Sequence, residues 1–560
     1  MAALVACASP YYTDATPTPT RTPRPTATPT ITPSPTPSPT PTPAWPLTVG
    51  CEASAPTGAC ARLRASVEAD AEHFRWSDDP TTANVRLTAG ASAMGGQPVG
   101  LEVYAVAVPF FTLQDDVAAA DVQATWLGQS TGALAGRPLL VSEATRRALA
   151  SVWGEPSAQT VNVVAAELLL GETERLGGWT IMPFDELTPR WKVLWVDGVT
   201  LLDKSFDPAR YPLTVPLYLS TGRSEALSYL PADLSNWSAE RMTVVAMTGV
   251  TAMTRNFGCW MDARGNTYAA QDIGELLAGA DFTHISNEVS FQPDCANQCS
   301  GIMSFCSSDS YIELLEYVGT DIVELTGNHL VDRGIEPLRH TLDLYRERGW
   351  QWYGGGENLL DASRPVTVTQ GPNRIAFFGC NTVDNPYDWA TDTLPGVYTC
   401  RSADSRYLDP EKLAQMEAQI RPLREQGYAI IITLQYYECS HNGQICTYEY
   451  APSPQQVQDF RTFAALGADV VQGSQAHQPQ TLEFYGDTFI HYGLGNLFFD
   501  QNWEEVRPSF IDRLVFYDGR LLSVDLRPTM MEEYGRRRPM TAQERADFLG
   551  MLFALRPEGE

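Results

Sequence analysis

Asp321-Ile322-Val323-Glu324-Leu325-Thr326-Gly327-Asn328-His329-Leu330-Val331-Asp332-Arg333-Gly334 sets the fold of the second half of the chain. Its first residues read as a strand, and the apolar run then stops abruptly in a small and polar cluster. Five other runs in this half have the same form. Val244-Val245-Ala246-Met247 meets Thr248-Gly249-Val250-Thr251, and Ile375-Ala376-Phe377-Phe378 meets Gly379-Cys380-Asn381. Residues 430–434 meet Gln435-Tyr436-Tyr437-Glu438, and Ala468-Asp469-Val470-Val471 meets Gly473-Ser474-Gln475-Ala476-His477. Phe489-Ile490-His491-Tyr492 meets Gly493-Leu494-Gly495-Asn496. Continuous apolar runs are strands buried on both faces. Ligand sites of such sheets gather beyond the strand carboxyl ends, so the six clusters predict one convergent rim. Helical spacing of apolar residues over 309–318, 335–348, 410–426 and 453–466 supplies the intervening helices, with Asp309 expected as an N-cap. His284 and His491 fall within strand-like runs and read as packed or paired side chains.

Residues 241–501 resemble the CapA family, whose members serve capsule and poly-γ-glutamate synthesis and have a calcineurin-like metallophosphoesterase fold. Ser286-Asn287-Glu288 stands for the family's A-N-L-E, and Thr326 to Gly334 for A-N-N-H-x-x-D-x-G. Gly354-Gly355-Gly356-Glu357-Asn358 stands for G-A-G-x-N, Pro452-Ser453-Pro454 for P-S-P, and residues 492–500 for Y-S-L-G-N-F-V-F-D. The resemblance implies an α/β/β/α sandwich and a site for divalent metal. It makes Glu288, Asn328 and His477 the metal ligands, with Glu288 bridging. His329 becomes a proton donor beside Asp332, and Arg255 an anion ligand. Asn287, Gln435, Gln475 and Asn496 line the substrate side. A structural use stays open for several of these: Asn328 and Asn496 as turn residues, His329 as a helix cap, His477 as a hydrogen-bonded rim residue.

The departures from the family pattern bear on function. The family's first motif has aspartate where Gly249-Val250-Thr251-Ala252-Met253-Thr254-Arg255 has Val250, and histidines where this chain has Gln435 and Gln475. Valine cannot ligate a cation, and neutral glutamine is a poorer ligand than imidazole for Mn, Zn or Fe. The site is therefore expected to hold one divalent metal or none. Three functions follow as alternatives: a metal-dependent hydrolase or transferase on an envelope polymer, a non-catalytic protein that binds or organises an anionic polymer, and a solute receptor acting through the first half.

That first half, 45–236, alternates short strands (103–108, 179–184) with helices (118–126, and 143–152 opened by Ser142), which predicts an α/β domain. Residues 104–108 with 120–126, residues 179–184 and Tyr211-Pro212-Leu213-Thr214-Val215-Pro216-Leu217-Tyr218 resemble periplasmic solute-binding proteins of the phosphate-binding type. No ligand-binding residue transfers with that likeness. The second domain is expected over 241–528, followed by a helical tail over 529–560 that packs back on the body.

Residues 14–44 are a Pro/Thr-rich spacer that can build neither helix nor sheet. At ~3.1 Å per residue its core would span on the order of 85 Å. Leu4-Val5-Ala6-Cys7, within a short segment 1–13, resembles a lipobox. Because six residues precede Cys7, lipidation there requires a start upstream of Met1. Ten further cysteines include the near pairs Cys51/Cys60, Cys380/Cys400 and Cys439/Cys446, the cluster Cys295, Cys299 and Cys306, and Cys259 apart from them. Short cysteine loops without a CxxC pair favour disulfides over zinc and an oxidising compartment. A net charge of −28 disfavours nucleic acid as a partner. An extracytoplasmic protein follows, held to the membrane by a lipid anchor alone.

Overall fold

The apolar runs of the second half all become strands, and they divide between two sheets. In the computed structural model, which describes residues 45–557 apart from 91–94, 297–298, 300–302, 384, 403–407, 437–448 and 534, the first sheet opens with four parallel strands. These are Gln351–Tyr353, Thr320–Glu324, Phe282–Asn287 and Met242–Thr248, and Pro508–Tyr517, Arg520–Glu532 and Arg536–Pro539 extend them antiparallel. The second sheet runs Val366–Gln370, Asn373–Asn381, Ala429–Gln435, Val470–Ser474, Thr488–His491 and Leu482–Tyr485, parallel except at its two edges. Cys7, the expected spacer, Glu438, His441 and the Cys439/Cys446 pair lie outside the described residues.

Three apolar layers follow from this arrangement. Val245 and Ile322 of the first sheet meet Phe377, Ile431 and Phe489 of the second in a core between the sheets. The outer face of the first sheet is covered by Leu338 and Leu342 of the helix Ile335–Arg348. That of the second is covered by Ile420 of Pro410–Glu425 and Phe460 of Pro454–Ala465. The layering is helix, sheet, sheet, helix. Asp409 and Ser453 cap their helices through the side chain, each followed by a proline at the first helical position. Asp309 behaves otherwise than expected. It sits inside a short 3-10 turn, Asp309–Tyr311, ahead of the helix Ile312–Tyr317, and its carboxylate is spent on His340 at 2.8 Å.

The first half forms one mixed sheet in the order Phe74–Trp76, Leu47–Cys51, Val85–Ala89, Thr214–Thr221, Gln97–Pro109, Trp179–Pro183, Leu139–Ser142 and Val161–Val164. Ser142 caps the helix Glu143–Trp153 by accepting from the Thr145 amide at 3.1 Å. This sheet is joined to the second half by shared core. Phe110 packs edge-on against Phe484, and Phe184 against Tyr517. Arg520 donates to the Leu187 and Asp185 carbonyls at 2.7 and 2.5 Å. The described residues from Trp45 onward make one compact unit. The boundary expected at 528 falls inside the strand Arg520–Glu532, and the terminal helix Ala542–Ala554 packs Leu549 and Leu552 into the inter-sheet core.

Among the described residues the cysteines pair as Cys51–Cys60, Cys259–Cys299, Cys295–Cys306 and Cys380–Cys400. Cys259 is thus the partner that the 295–306 cluster needs. Its bond closes a span of 40 residues, the longest of the four. A loop of that length stabilises by on the order of 4 kcal/mol through the entropy of the unfolded chain. The double variant Cys259→Ser, Cys299→Ser should lose stability of that order in denaturant titration, whereas Cys51→Ser, Cys60→Ser should lose less.

Candidate functional site

The strand ends of both sheets meet where Val250–Thr251 forms a two-residue strand between Phe282–Asn287 and Asn496–Phe498. Here the backbone runs at close quarters. A Cβ on Gly327 would stand 2.6 Å from the Glu288 Cα, and one on Gly249 would stand 1.9 Å from the Gly495 carbonyl oxygen. Only glycine lets these loops cross. Val250 is buried, with its amide on the Gly495 carbonyl at 2.9 Å, and it presents methyl groups where an acidic ligand would stand by resemblance.

Gln435 lies at the centre of the cluster. Its buried side-chain nitrogen donates to Glu288 Oε1 at 3.1 Å, to Asn328 Oδ1 at 3.1 Å and to Gln475 Oε1. Its own oxygen accepts from Ser474 Oγ at 2.9 Å. An amide nitrogen has two protons for these three acceptors, so the contacts share them. Gln475 is held at φ 81°, in the left-handed region, to reach this position. Glu288 Oε2 is buried without a hydrogen-bond partner.

Around this centre stand two further pairs. His329 Nδ1 lies 2.8 Å from Asp332 Oδ2, and its ring packs on Phe305. Burial works against charging His329. The hydrogen bond to Asp332 and the charges of Glu288, Asp332 and Asp388 outweigh it and raise the imidazole above its ordinary value. His477 Nδ1 lies 2.8 Å from Asn496 Oδ1, an acceptor that fixes the proton on Nδ1. Burial lowers His477, against the opposing pull of Glu288.

Arg255 forms an ion pair with Asp500, with Nε donating at 3.0 Å, and lies over the rings of Phe305 and Phe499. The residue expected to take an anion therefore faces an internal carboxylate. Asn287 also turns inward, donating to Tyr345 Oη at 2.7 Å and to the Val289 carbonyl at 2.9 Å. The structure thus gathers Glu288, Asn328, Gln435 and Gln475 into one hydrogen-bonded cluster, with His329–Asp332 and His477–Asn496 as separate pairs. Asp388 was not legible as a site residue. Burial, then the Asp332 charge, pushes it up to about 7, and its place in no motif concealed it. Phe499 and Asp500 stand in the motif over 492–500, but spacing alone did not show that they meet Arg255, and Phe305 lies in no motif.

A divalent metal fits this arrangement poorly. Among the described residues, no three His, Cys, Asp or Glu side chains are grouped to hold one. The oxygens of Glu288 and Asn328, two of the ligands expected by resemblance, converge on the Gln435 amide, and Val250 has no donor atom to offer a cation.

Residues 244–501 match the bacterial capsule synthesis protein PGA_cap family. The chain is 23% identical over 328 residues to the capsule biosynthesis protein CapA of Bacillus anthracis, covering 57% of this chain and 74% of that protein. It is 25% identical over 251 residues to the PGA biosynthesis protein CapA of Bacillus subtilis, covering 44% and 61%. Among solved structures, an ABC-type phosphate transport receptor from Vibrio cholerae matches at 12% identity and a TM-score of 0.26, over 33% of this chain and 92% of that one.

Behind the site, Glu324 is buried between the sheets and accepts from Thr326 Oγ1 at 2.5 Å and Ser474 Oγ at 3.0 Å. Its second oxygen is 3.6 Å from His284 Nε2, which lies 2.8 Å from the Tyr353 hydroxyl. Burial raises the Glu324 carboxyl and depresses His284 to about 3, favouring the uncharged form of each. The depressed His284 contributes stability that is full above 6.5 and is lost as pH falls toward 3. The raised Glu324 contributes stability that is full below 4.5 and is lost as pH rises through its folded value. Glu324→Gln should remove only the second loss. Its melting temperature relative to wild type should climb as pH rises above about 5, and parallel melting curves from acid to alkali would contradict this.

Proposed function

With its C-terminal half belonging to the CapA family, we propose that this chain is a non-hydrolytic accessory protein of capsule or polyglutamate-type polymer synthesis at the cell envelope. The site retains the position of a metallophosphoesterase-type centre, but a hydrogen-bonding amide gathers its oxygens in place of a cation. One observation carries this reading: Gln435 Nε2 bonds at once to Glu288, Asn328 and Gln475. Hydrolysis of a phosphate or amide-type bond through a metal needs open coordination positions and a metal-activated water. The amide supplies neither.

The charge of the site bears on what the protein holds. Glu288, Asp332, Asp388 and Asp500 surround it against Arg255 and His329, and Arg255 is already paired with Asp500. Such a site repels an anionic chain, so a polymer of that kind would be engaged elsewhere on the body. In this reading the first half acts as the rigid partner of the CapA domain through their shared core. Disulfides fit an oxidising compartment outside the cytoplasm. Among the described residues no helix is long and apolar enough to cross a membrane.

The test restores the expected ligands. Val250→Asp, Gln435→His and Gln475→His combined in one variant should bind Mn²⁺ at least tenfold more tightly than wild type in calorimetry. Wild type should show no turnover of an aryl phosphodiester with Mn²⁺ or Zn²⁺ present. Metal-dependent turnover by wild type that disappears in Glu288→Gln would establish the hydrolase instead.

A further inference from the structure

We infer that the groove between the two halves of the body binds a polycarboxylate chain; the choice of polymer rests on the function proposed above. The groove has a volume of about 750 Å³ and is lined by Arg137, Arg190 and Arg556 together with Phe111, Phe484 and Glu483. It shares none of the residues of the polar centre.

Each arginine is set to present free donors. Arg137 is anchored through Nε and one terminal nitrogen to the Gly177 and Gly178 carbonyls at 2.7 and 2.9 Å, which leaves its other terminal nitrogen for the groove. Arg190 donates to the Gly486 carbonyl and lies 5.3 Å from the Phe484 ring centre. Arg556 lies 3.8 Å from the Phe111 ring centre. Among the described residues, none of the three has a carboxylate within ion-pair distance, whereas Arg461 beside them does. Glu483 is not a counter-charge, because Arg461 takes both of its oxygens at 2.9 and 2.7 Å and Tyr492 Oη donates at 2.5 Å. Glu174 is the remaining acid of the lining, and it acts on Arg556 without an ion pair. Three cations thus face one acid, in a chain of net charge −28.

The chemistry selects the ligand. A guanidinium over a phenyl ring keeps planar N–H donors that can take a carboxylate through two parallel hydrogen bonds. The rings beside the cations offer apolar contact to aliphatic segments between carboxylates. A volume of 750 Å³ suits a ligand of several linked units, since pockets of about 300–1,000 Å³ hold molecules of that size and a single phosphate needs far less. Repeating carboxylates joined by methylene-bearing links match both features.

The test uses the full chain and a fluorescently labelled poly-γ-glutamate oligomer, read by anisotropy. Wild type should bind, with affinity falling steeply as salt rises. Arg190→Gln, Arg556→Gln should weaken binding at least tenfold, with an unchanged melting temperature. Arg556→Gln alone, which removes no hydrogen bond among the described residues, should weaken it measurably. Inorganic phosphate at equal charge should not compete. No binding by wild type, unchanged affinity in both variants, or equal competition by phosphate would each overturn the inference. None of these outcomes touches the metal and turnover measurements, so this proposal and the non-hydrolytic reading fail separately.

Discussion

The arrangement of the site depends on one side-chain amide. Gln435 stands at the carboxyl end of a central strand of the second sheet, and its nitrogen reaches oxygens on three other loops. A divalent cation would gather the same oxygens by charge. The amide gathers them by dipole, and so leaves the Glu288 charge in a buried setting with one oxygen unpartnered. A buried carboxylate is tolerated when nearby positive groups offset it. His329 is one such group, and the Glu288 charge is among those that raise it. The cluster ties the loops together through hydrogen bonds.

Much of this was legible in the sequence, and the reason is periodicity. The six apolar runs of the second half each became a strand, because strands buried on both faces leave no polar interruption until they end. The polar clusters after them did converge. Val250, Gln435 and Gln475 stood out as neutral residues in motif positions. The sequence did not show that Gln435 would bond to all the others, since that depends on side-chain direction rather than spacing. Asp388 and Phe305 were hidden because they come from loops of no fixed pattern, while Phe499 and Asp500 lay in a quoted motif whose spacing did not show that they face Arg255. Asp309 failed as a cap because an extra 3-10 turn moved the helix start beyond it.

The terminal segment shows how packing decides what composition leaves open. In Arg536-Arg537-Arg538 the middle arginine, Arg537, is fully buried, with Nε donating to the Leu497 carbonyl at 2.8 Å. It supports the strand that carries Asn496 and, through Asn496, His477. Residues beyond the family match are therefore part of the frame of the site. One body thus carries both an acidic cluster at the strand ends and an arginine-lined groove between the halves.

The central claim is that the amide has replaced the cation. Its direct measurement is the metal content of the wild-type chain, taken by elemental mass spectrometry after incubation with excess Mn²⁺, Zn²⁺ and Fe²⁺ and removal of free ions. The account predicts far less than one metal per chain, unchanged in Glu288→Gln. One tightly held metal per chain, lost in Glu288→Gln or His477→Ala, would contradict it.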